Sequence, residues 1–144
     1  MQAVLGVIRG GSLLAVLGVN SYTDIRYRSV LVWTTWILLA EGVALRVIEE
    51  SIWSIDTILA LVPGMLAFLP AILFREDWGM GDSWMLLAIG SIYWVETWLQ
   101  IFTIAILLAA VWAVILLVFL HKGRKDTIPF IPFLFMGCLI SILI

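Results

Sequence analysis

The stretch LQIFTIAILLAAVWAVILLVFL, at residues 99–120, contains no charged side chain. As a helix it would be about 33 Å long, enough to cross the roughly 30 Å hydrocarbon core of a bilayer. The whole chain has a similar character, because 64% of its 144 residues are hydrophobic, only 12% are charged and its mean hydropathy is +1.17. Soluble domains are about 45–50% apolar and about a quarter charged. The composition therefore predicts a membrane protein and argues against a soluble or disordered chain.

Five further apolar segments flank this stretch, which gives about six expected transmembrane helices in an all-α polytopic membrane protein. The fourth segment along the chain, residues 83–95, would be only about 20 Å long as a helix. It must therefore tilt, extend or begin below the membrane surface. No internal repeat or long linker divides the chain, so residues 1–144 are expected to form a single membrane-embedded domain. The five segments are residues 2–19, 30–48, 57–74, 83–95 and 128–144.

The orientation follows from the basic residues, six of which lie in the expected loops 20–29, 75–82 and 121–127. Cytoplasmic loops carry an excess of lysine and arginine, so these three loops are predicted to face the cytoplasm, with both termini extracytoplasmic. Tryptophans are expected near the ends of the spans, with Trp98 at the outer surface. We therefore expect a multi-pass protein of the cell membrane that contacts lipid and binds no nucleic acid. The six basic residues are Arg26, Arg28, Arg75, Lys122, Arg124 and Lys125.

Two of these loops carry an aspartate, Asp24 and Asp82, and the predicted topology places both at one membrane face. Two carboxyl groups that share a site cannot both ionise readily, so one stays protonated while the other is charged. Such a pair can act as an aspartyl protease does, the charged group taking a proton from water and the neutral group polarising a carbonyl. The alternative is that both are solvated loop residues, with Asp82 capping the fourth helix. Gly79 and Gly81 before Asp82 would leave room for a substrate strand.

Three blocks of sequence resemble one family. The block GMGDSWMLLAIG at residues 79–90 is similar to the Gly-x-Gly-Asp signature of the type IV prepilin peptidases, intramembrane aspartyl proteases that include preflagellin peptidases. The block DIRYRSV at residues 24–30 resembles the first aspartate block of that family. The block IPFIPFL at residues 128–134 resembles the segment that opens its last helix. The departures are Trp84 where the family has lysine, Val30-Leu31 in place of Ile-Pro, and Ile131 in place of glycine.

The resemblance implies that Asp24 and Asp82 are catalytic residues at the cytoplasmic membrane edge. It implies that the enzyme removes the short basic leader of a prepilin-like precursor, with neither metal nor cofactor. The long bifunctional members carry a Cys-rich insertion that is missing here, so no N-methyltransferase activity is expected. The expected substrate-positioning residues are Glu76, Asp77, Gly79, Met80, Gly81, Pro129 and Pro132.

Two charged residues fall inside the expected first and second spans, Arg9 and Glu41. Charges within a membrane are costly and are expected to have partners. Counted along helices from Asp24 and from Ser29, the two residues reach similar depths, which predicts a structural Arg9–Glu41 ion pair. A proton relay at Glu41 is the alternative. A small proton-coupled transporter using Glu41 and Arg9 is therefore a second hypothesis for the function. A non-enzymatic membrane assembly factor is a third, and the oligomeric state stays open.

Overall fold

The computed structural model describes residues 2–73, 80–119 and 128–144 of the chain. These residues form six α-helices and contain no strand, which confirms the predicted all-helical class. The helices are α1 (Gln2–Tyr27), α2 (Val32–Ile48), α3 (Ile55–Leu73), α4 (Met80–Ile92), α5 (Val95–Phe119) and α6 (Ile131–Leu143).

Two of the helices are long and apolar enough to cross a membrane, over Ala3–Tyr27 and Val95–Val118. Only 11% of the most apolar window of the second segment is buried inside the protein. The apolar stretch Ile55–Leu69 of α3 and the helix α6 are shorter. Helices α4 and α6 have 13 residues each, or about 20 Å.

Two helix boundaries differ from the sequence-based prediction in a way that affects the aspartates. The predicted loop 20–29 is wrong, because α1 stays helical through Tyr27. The turn to α2 begins at Arg28, whose φ of 53° is left-handed and ends the helix. Helix α4 begins at Met80, three residues earlier than predicted, so Asp82 lies in its first turn. Both aspartates are therefore carried on helix ends and not on loops.

Helix α4 packs very closely against α3. A Cβ atom at Gly64 would lie 2.6 Å from the Cα of Leu87, and one at Gly90 would overlap the Ala60 carbonyl oxygen. The Ser83 hydroxyl, at the start of α4, donates to the carbonyl oxygen of Ala67 at 2.9 Å. Only residues without a side chain permit this approach of two helix backbones. These contacts fix the position of α4 along α3.

Helix α6 runs antiparallel to α1 along its length. Gly10 lies against Ile142, since a Cβ there would be 3.7 Å from the Cδ1 of Ile142. Gly18 lies against Phe135 at the same distance. The same antiparallel register brings the beginning of α6 to the last turns of α1, where Asp24 lies.

A core of apolar side chains joins the α3–α4 pair to the α1–α6 pair. It includes Leu13, Leu17, Leu38, Met85 and Ile89, each at most 1% exposed. Trp98 belongs to this core as well: it is 1% exposed and its indole N–H donates to the Leu86 carbonyl at 3.1 Å. Trp98 lies in the first turn of α5, so its predicted position near the outer end of a span stays a prediction, but its ring packs inside the protein.

The close packing of α3 on α4 generates a stability prediction. Gly64→Ala should destabilise the protein by about 1–3 kcal/mol, because the added methyl group must push two helix backbones apart. The matched control is Gly6→Ala in α1, where a Cβ would meet no atom within 4 Å. Thermal unfolding in detergent measures both variants. Equal melting temperatures for the two would contradict the packing described here.

Candidate active site

Asp24 lies in the last turn of α1 with its side chain 8% exposed. Its Oδ2 atom accepts a hydrogen bond from the backbone N–H of Ile131 at 3.2 Å, across 107 residues of sequence. The first N–H groups of a helix have no partner within that helix, and the N-cap residue Phe130 supplies no side-chain hydrogen bond. Asp24 therefore caps α6 from another helix, where the helix dipole also favours a negative charge.

Opposing influences act on the charge of Asp24. Burial disfavours the carboxylate. The amide of Ile131, the positive charge of Arg28 and the amide of Phe130 favour it. Burial is the largest of these influences, so the two amides and the positive charge of Arg28 offset it only in part.

Asp82 lies before the apolar part of α4 and is only partly exposed. Burial, together with the negative charge of Asp24, raises the pKa of Asp82 from 3.8 to about 7. Burial is the larger cause, and the Asp24 charge adds to it, so the two carboxyl groups influence each other electrostatically. Near neutral pH, Asp82 is therefore partly protonated, whereas an aspartate with the ordinary pKa of 3.8 is ionised.

Gly81 brings the start of α4 against the turn between α1 and α2. A Cβ atom at Gly81 would lie 2.6 Å from the Cβ of Val30. The space beside Gly81 is thus filled by Val30, whereas the sequence suggested room there for a substrate strand. The glycine next to Asp82 serves the approach of α4 to the turn that follows Asp24.

Asn20 holds that turn in place and was not identified from the sequence. It is fully buried, and its side-chain carbonyl accepts the Leu31 N–H at 2.7 Å. Its amide group donates to the carbonyl of Val16 at 2.9 Å and to the hydroxyl of Thr34 at 2.7 Å. The available signal was an asparagine one helical turn before Asp24, at the end of an apolar segment. Asn20 thereby links α1, the turn and α2 beside the aspartates.

Trp84, which stands where the family has lysine, is a packing residue. Its ring lies 4.4 Å from that of Trp36 in α2 and 5.0 Å from that of Phe68 in α3, measured between centroids. The Phe68 contact is edge-to-face, a favoured arrangement for aromatic pairs. Trp84 therefore packs α4 against α2 and α3, within one helical turn of Asp82.

The other predicted substrate-positioning residues fall into two groups. Met80 is exposed in the first turn of α4, Pro129 precedes α6, and Pro132 lies in its first turn. The two prolines flank the Ile131 amide that binds Asp24. The remaining predicted positions lie outside the described residues, as do several basic loop residues: Glu76, Asp77, Gly79, Arg75, Lys122, Arg124 and Lys125.

The predicted Arg9–Glu41 pair is wrong. Arg9 Nη2 forms an ion pair with Glu49 Oε2, whereas Glu41 accepts a hydrogen bond from the Ser12 hydroxyl at 2.8 Å. The depth comparison failed because α1 continues to Tyr27. From the turn, Arg9 lies about 27 Å along α1, Glu49 about 26 Å along α2, and Glu41 only about 14 Å.

A helical, largely apolar protein with two interacting carboxyl groups at one end of its bundle belongs to the membrane proteins that can carry out acid–base chemistry. A model of the type IV leader peptidase family matches residues 11–114, which include both aspartates. The chain belongs to the type IV leader peptidase family. Family membership makes it a peptidase of the membrane-protease type whose substrate is a protein.

The other comparisons add no relative: neither the curated proteins nor the solved structures contain a significant match. The family match also ends before the block at residues 128–134. The structure nevertheless joins that block to Asp24 through Ile131. The fold thus supplies an argument for the third block that the family match does not.

The raised pKa of Asp82 generates a prediction about pH. The folded protein keeps this proton up to about pH 7, whereas the unfolded chain loses it near the ordinary value of 3.8. The stability that protonated Asp82 gives the folded protein is therefore lost as the pH rises from 3.8 to about 7. Relative to Asp82→Asn, the wild type should lose at most about 1.4 kcal/mol for each pH unit.

Thermal unfolding in detergent between pH 4 and about pH 8 tests this. The exposed Asp56, in the first turn of α3, provides the matched control Asp56→Asn. We expect the advantage of Asp82→Asn over the wild type to grow up to about pH 7 and then level off. An advantage that does not change with pH would contradict the burial of a protonated carboxyl group at Asp82.

Proposed function

We propose that the protein is an aspartic endopeptidase that removes the short basic leader from type IV pilin-like precursors at the cytoplasmic membrane face. Family membership supports a leader peptidase. The single observation that carries the aspartic mechanism is the contact of Gly81, next to Asp82, with Val30 in the turn that follows Asp24, which brings the two aspartates to one end of the bundle. The Asp24 charge and burial then both favour the protonated form of Asp82, and carboxyl groups that interact in this way can share one proton at working pH.

The contacts of the two side chains suggest their roles. Asp24, which accepts the Ile131 amide, is the charged partner and takes a proton from a water molecule as that water attacks the scissile carbonyl. Asp82, the protonated partner, gives its proton to the carbonyl oxygen. The tetrahedral intermediate then collapses: Asp24 returns its proton to the leaving amide nitrogen, and a hydroxyl of the intermediate restores the proton to Asp82. The pair ends as it began, so no further reactant is needed.

The substrate would approach from the partly exposed side of Asp82, where Met80 is also exposed. A pilin-like precursor continues from its leader into an apolar helix, which stays in lipid while the scissile bond lies at the boundary. Glu76 and Asp77 remain our candidates for holding the basic leader, and Pro129 and Pro132 for shaping the entry beside Asp24.

The six helices are proposed as six passes through the cell membrane, with both termini extracytoplasmic. The apolar helices α1 and α5 support membrane insertion. Six basic residues support the orientation: Arg26 and Arg28 lie near the turn between α1 and α2, and the other four lie in the segments 75–82 and 121–127, which six passes would place on the same side. We propose further that the protein has no N-methyltransferase activity, since the 144 residues contain a single cysteine, Cys138, and therefore no Cys-rich insertion.

The transporter hypothesis required Arg9 and Glu41 to act together. Arg9 is instead partnered by Glu49, and Glu41 by the hydroxyl of Ser12. A scaffold protein would have no use for two interacting carboxyl groups. Neither alternative is therefore favoured by an observation in the structure.

The proposed roles predict that Asp24→Asn and Asp82→Asn each lower precursor cleavage by about 10²-fold or more, since each removes one step of proton transfer. The measurement is cleavage of a prepilin-like precursor co-expressed in a host lacking its own leader peptidase, normalised to folded protein. Asp56→Asn should cleave as the wild type does, because Asp56 is exposed in the first turn of α3. Retained cleavage in either well-folded site variant would disprove the proposed pair.

The proposed topology predicts which engineered cysteines a membrane-impermeant maleimide reaches on intact cells. In a Cys138→Ala background, Glu50→Cys should react from outside, whereas Tyr27→Cys should react only after permeabilisation. Both positions are exposed. Tyr27 ends α1 just before the turn to α2, and Glu50 follows the other end of α2. The opposite labelling pattern would place the aspartates on the wrong side for leader cleavage.

A further inference from the structure

A buried cluster of charged side chains lies at the opposite end of the helices from the aspartates. It consists of Arg9 on α1 and of Arg46 and Glu49 at the end of α2. Arg9 is 7% exposed and Arg46 is 1% exposed. Burying charges is expensive, and the proposed chemistry uses none of the three. The cluster therefore needs an explanation of its own.

Arg46 binds the end of α4. Its Nη2 donates to the carbonyl oxygen of Tyr93 at 2.7 Å, and its Nε donates to that of Ser91 at 3.2 Å. The guanidinium carbon also lies 4.1 Å from the ring centroid of Trp94. The last carbonyl groups of a helix have no partner within that helix, and its C-terminus favours a cation. One side chain of α2 thus fixes the C-terminal end of α4.

Arg9 binds the end of α2 through its ion pair with Glu49. Glu49 is the C-cap residue of α2, and its N–H donates to the Leu45 carbonyl at 3.0 Å. The Ser51 N–H donates to the Arg46 carbonyl at 2.9 Å, so the turn after α2 is folded back on the helix. Arg46 and Glu49 are therefore held together at one helix end, one facing α4 and the other α1.

The two helices joined in this way are those that carry the aspartates. Asp24 follows Arg9 by about 22 Å along α1, and Asp82 precedes Ser91 by about 14 Å along α4. Helix α4 packs chiefly on α2 and α3, and α1 packs chiefly on α6 and α2. Together with the contacts of α4 on α3 and the link that Asn20 forms between α1 and α2, what attaches α1 and α4 to the far end of α2 therefore sets their relative height.

We propose that Arg9, Glu49 and Arg46 are positioning residues that set the axial offset between α1 and α4, and so the separation of Asp24 and Asp82. The proposal rests on the proposed function for its catalytic consequence. The cluster acts through two stiff helices, so loss of one partner lets a helix slide and moves a carboxyl group out of its working geometry. A displacement of about 1 Å at reacting groups can cost about 10²-fold in rate.

The variant Glu49→Gln removes the charge that holds Arg9, and Glu50→Gln, at the exposed neighbouring residue, is its matched control. We expect Glu49→Gln to lower kcat for precursor cleavage by about tenfold or more, with KM little changed because the cluster is remote from the substrate. The alkaline limb of the pH–rate profile should move to lower pH, because a more distant Asp24 raises the pKa of Asp82 less. The exchanged pair Arg9→Glu/Glu49→Arg should recover both properties.

A distance measurement that needs no activity completes the test. Spin labels at Tyr27→Cys and Met80→Cys, exposed at the two helix ends beside the aspartates, report the offset of α1 and α4 in a Cys138→Ala background. We expect the distance distribution to shift or broaden with Glu49→Gln, to stay as in the wild type with Glu50→Gln, and to recover in the exchanged pair.

The outcomes separate the two proposals. A Glu49→Gln protein that melts at a lower temperature, yet keeps the wild-type distances and pH profile, would overturn the positioning role. If the wild type cleaves no prepilin-like precursor, the proposed function fails and the distances alone decide. Unchanged distances then overturn the positioning role, and shifted distances that the exchanged pair restores support it.

Discussion

The hydrogen bond from the Ile131 amide to the Asp24 carboxylate is the constraint on which the candidate site depends. A buried carboxylate in an apolar protein is unfavourable unless donors surround it. The first turn of α6 offers such donors, because its N–H groups have no partner within the helix. One hydrogen bond thus gives the buried carboxylate a donor and the helix N–H an acceptor, and it fixes the start of α6 on the end of α1. The glycines Gly10 and Gly18 permit the antiparallel contact that delivers it there.

Asp82 is positioned at the same end of the bundle by a different set of contacts. Helix α4 is short and is held by close backbone contacts with α3 at Gly64 and Gly90, and by Arg46 at its far end. Its first turn then lies against Val30, just after the turn that follows Asp24. The pair is thus produced by helix packing on both sides and not by a flexible loop. Such rigid placement suits acid–base chemistry, which depends on a constant distance between the two groups.

The sequence predicted the helical class and the six helices of the described residues, because apolar segment length is a local signal. The catalytic role of the two aspartates stays a prediction. The sequence missed the helical state of residues 20–27, since Asn20 and Asp24 lower the hydropathy of a segment whose polar groups are satisfied inside the protein. The wrong partner for Arg9 followed from that boundary, because a helix that is too short misplaces every depth counted from it. Trp98 was placed near a span end from its position in the sequence, which gave no sign that its N–H binds a carbonyl of another helix.

The central claim is that Asp24 and Asp82 form one electrostatically coupled pair. Its most direct test is titration of the Asp82 carboxyl by difference infrared spectroscopy, in the wild type and in Asp24→Asn. The account predicts a pKa of Asp82 of about 7 in the wild type, and a lower one in Asp24→Asn because the neighbouring negative charge is gone. The same pKa in both proteins would contradict the account, since two carboxyl groups that do not influence each other cannot share a proton.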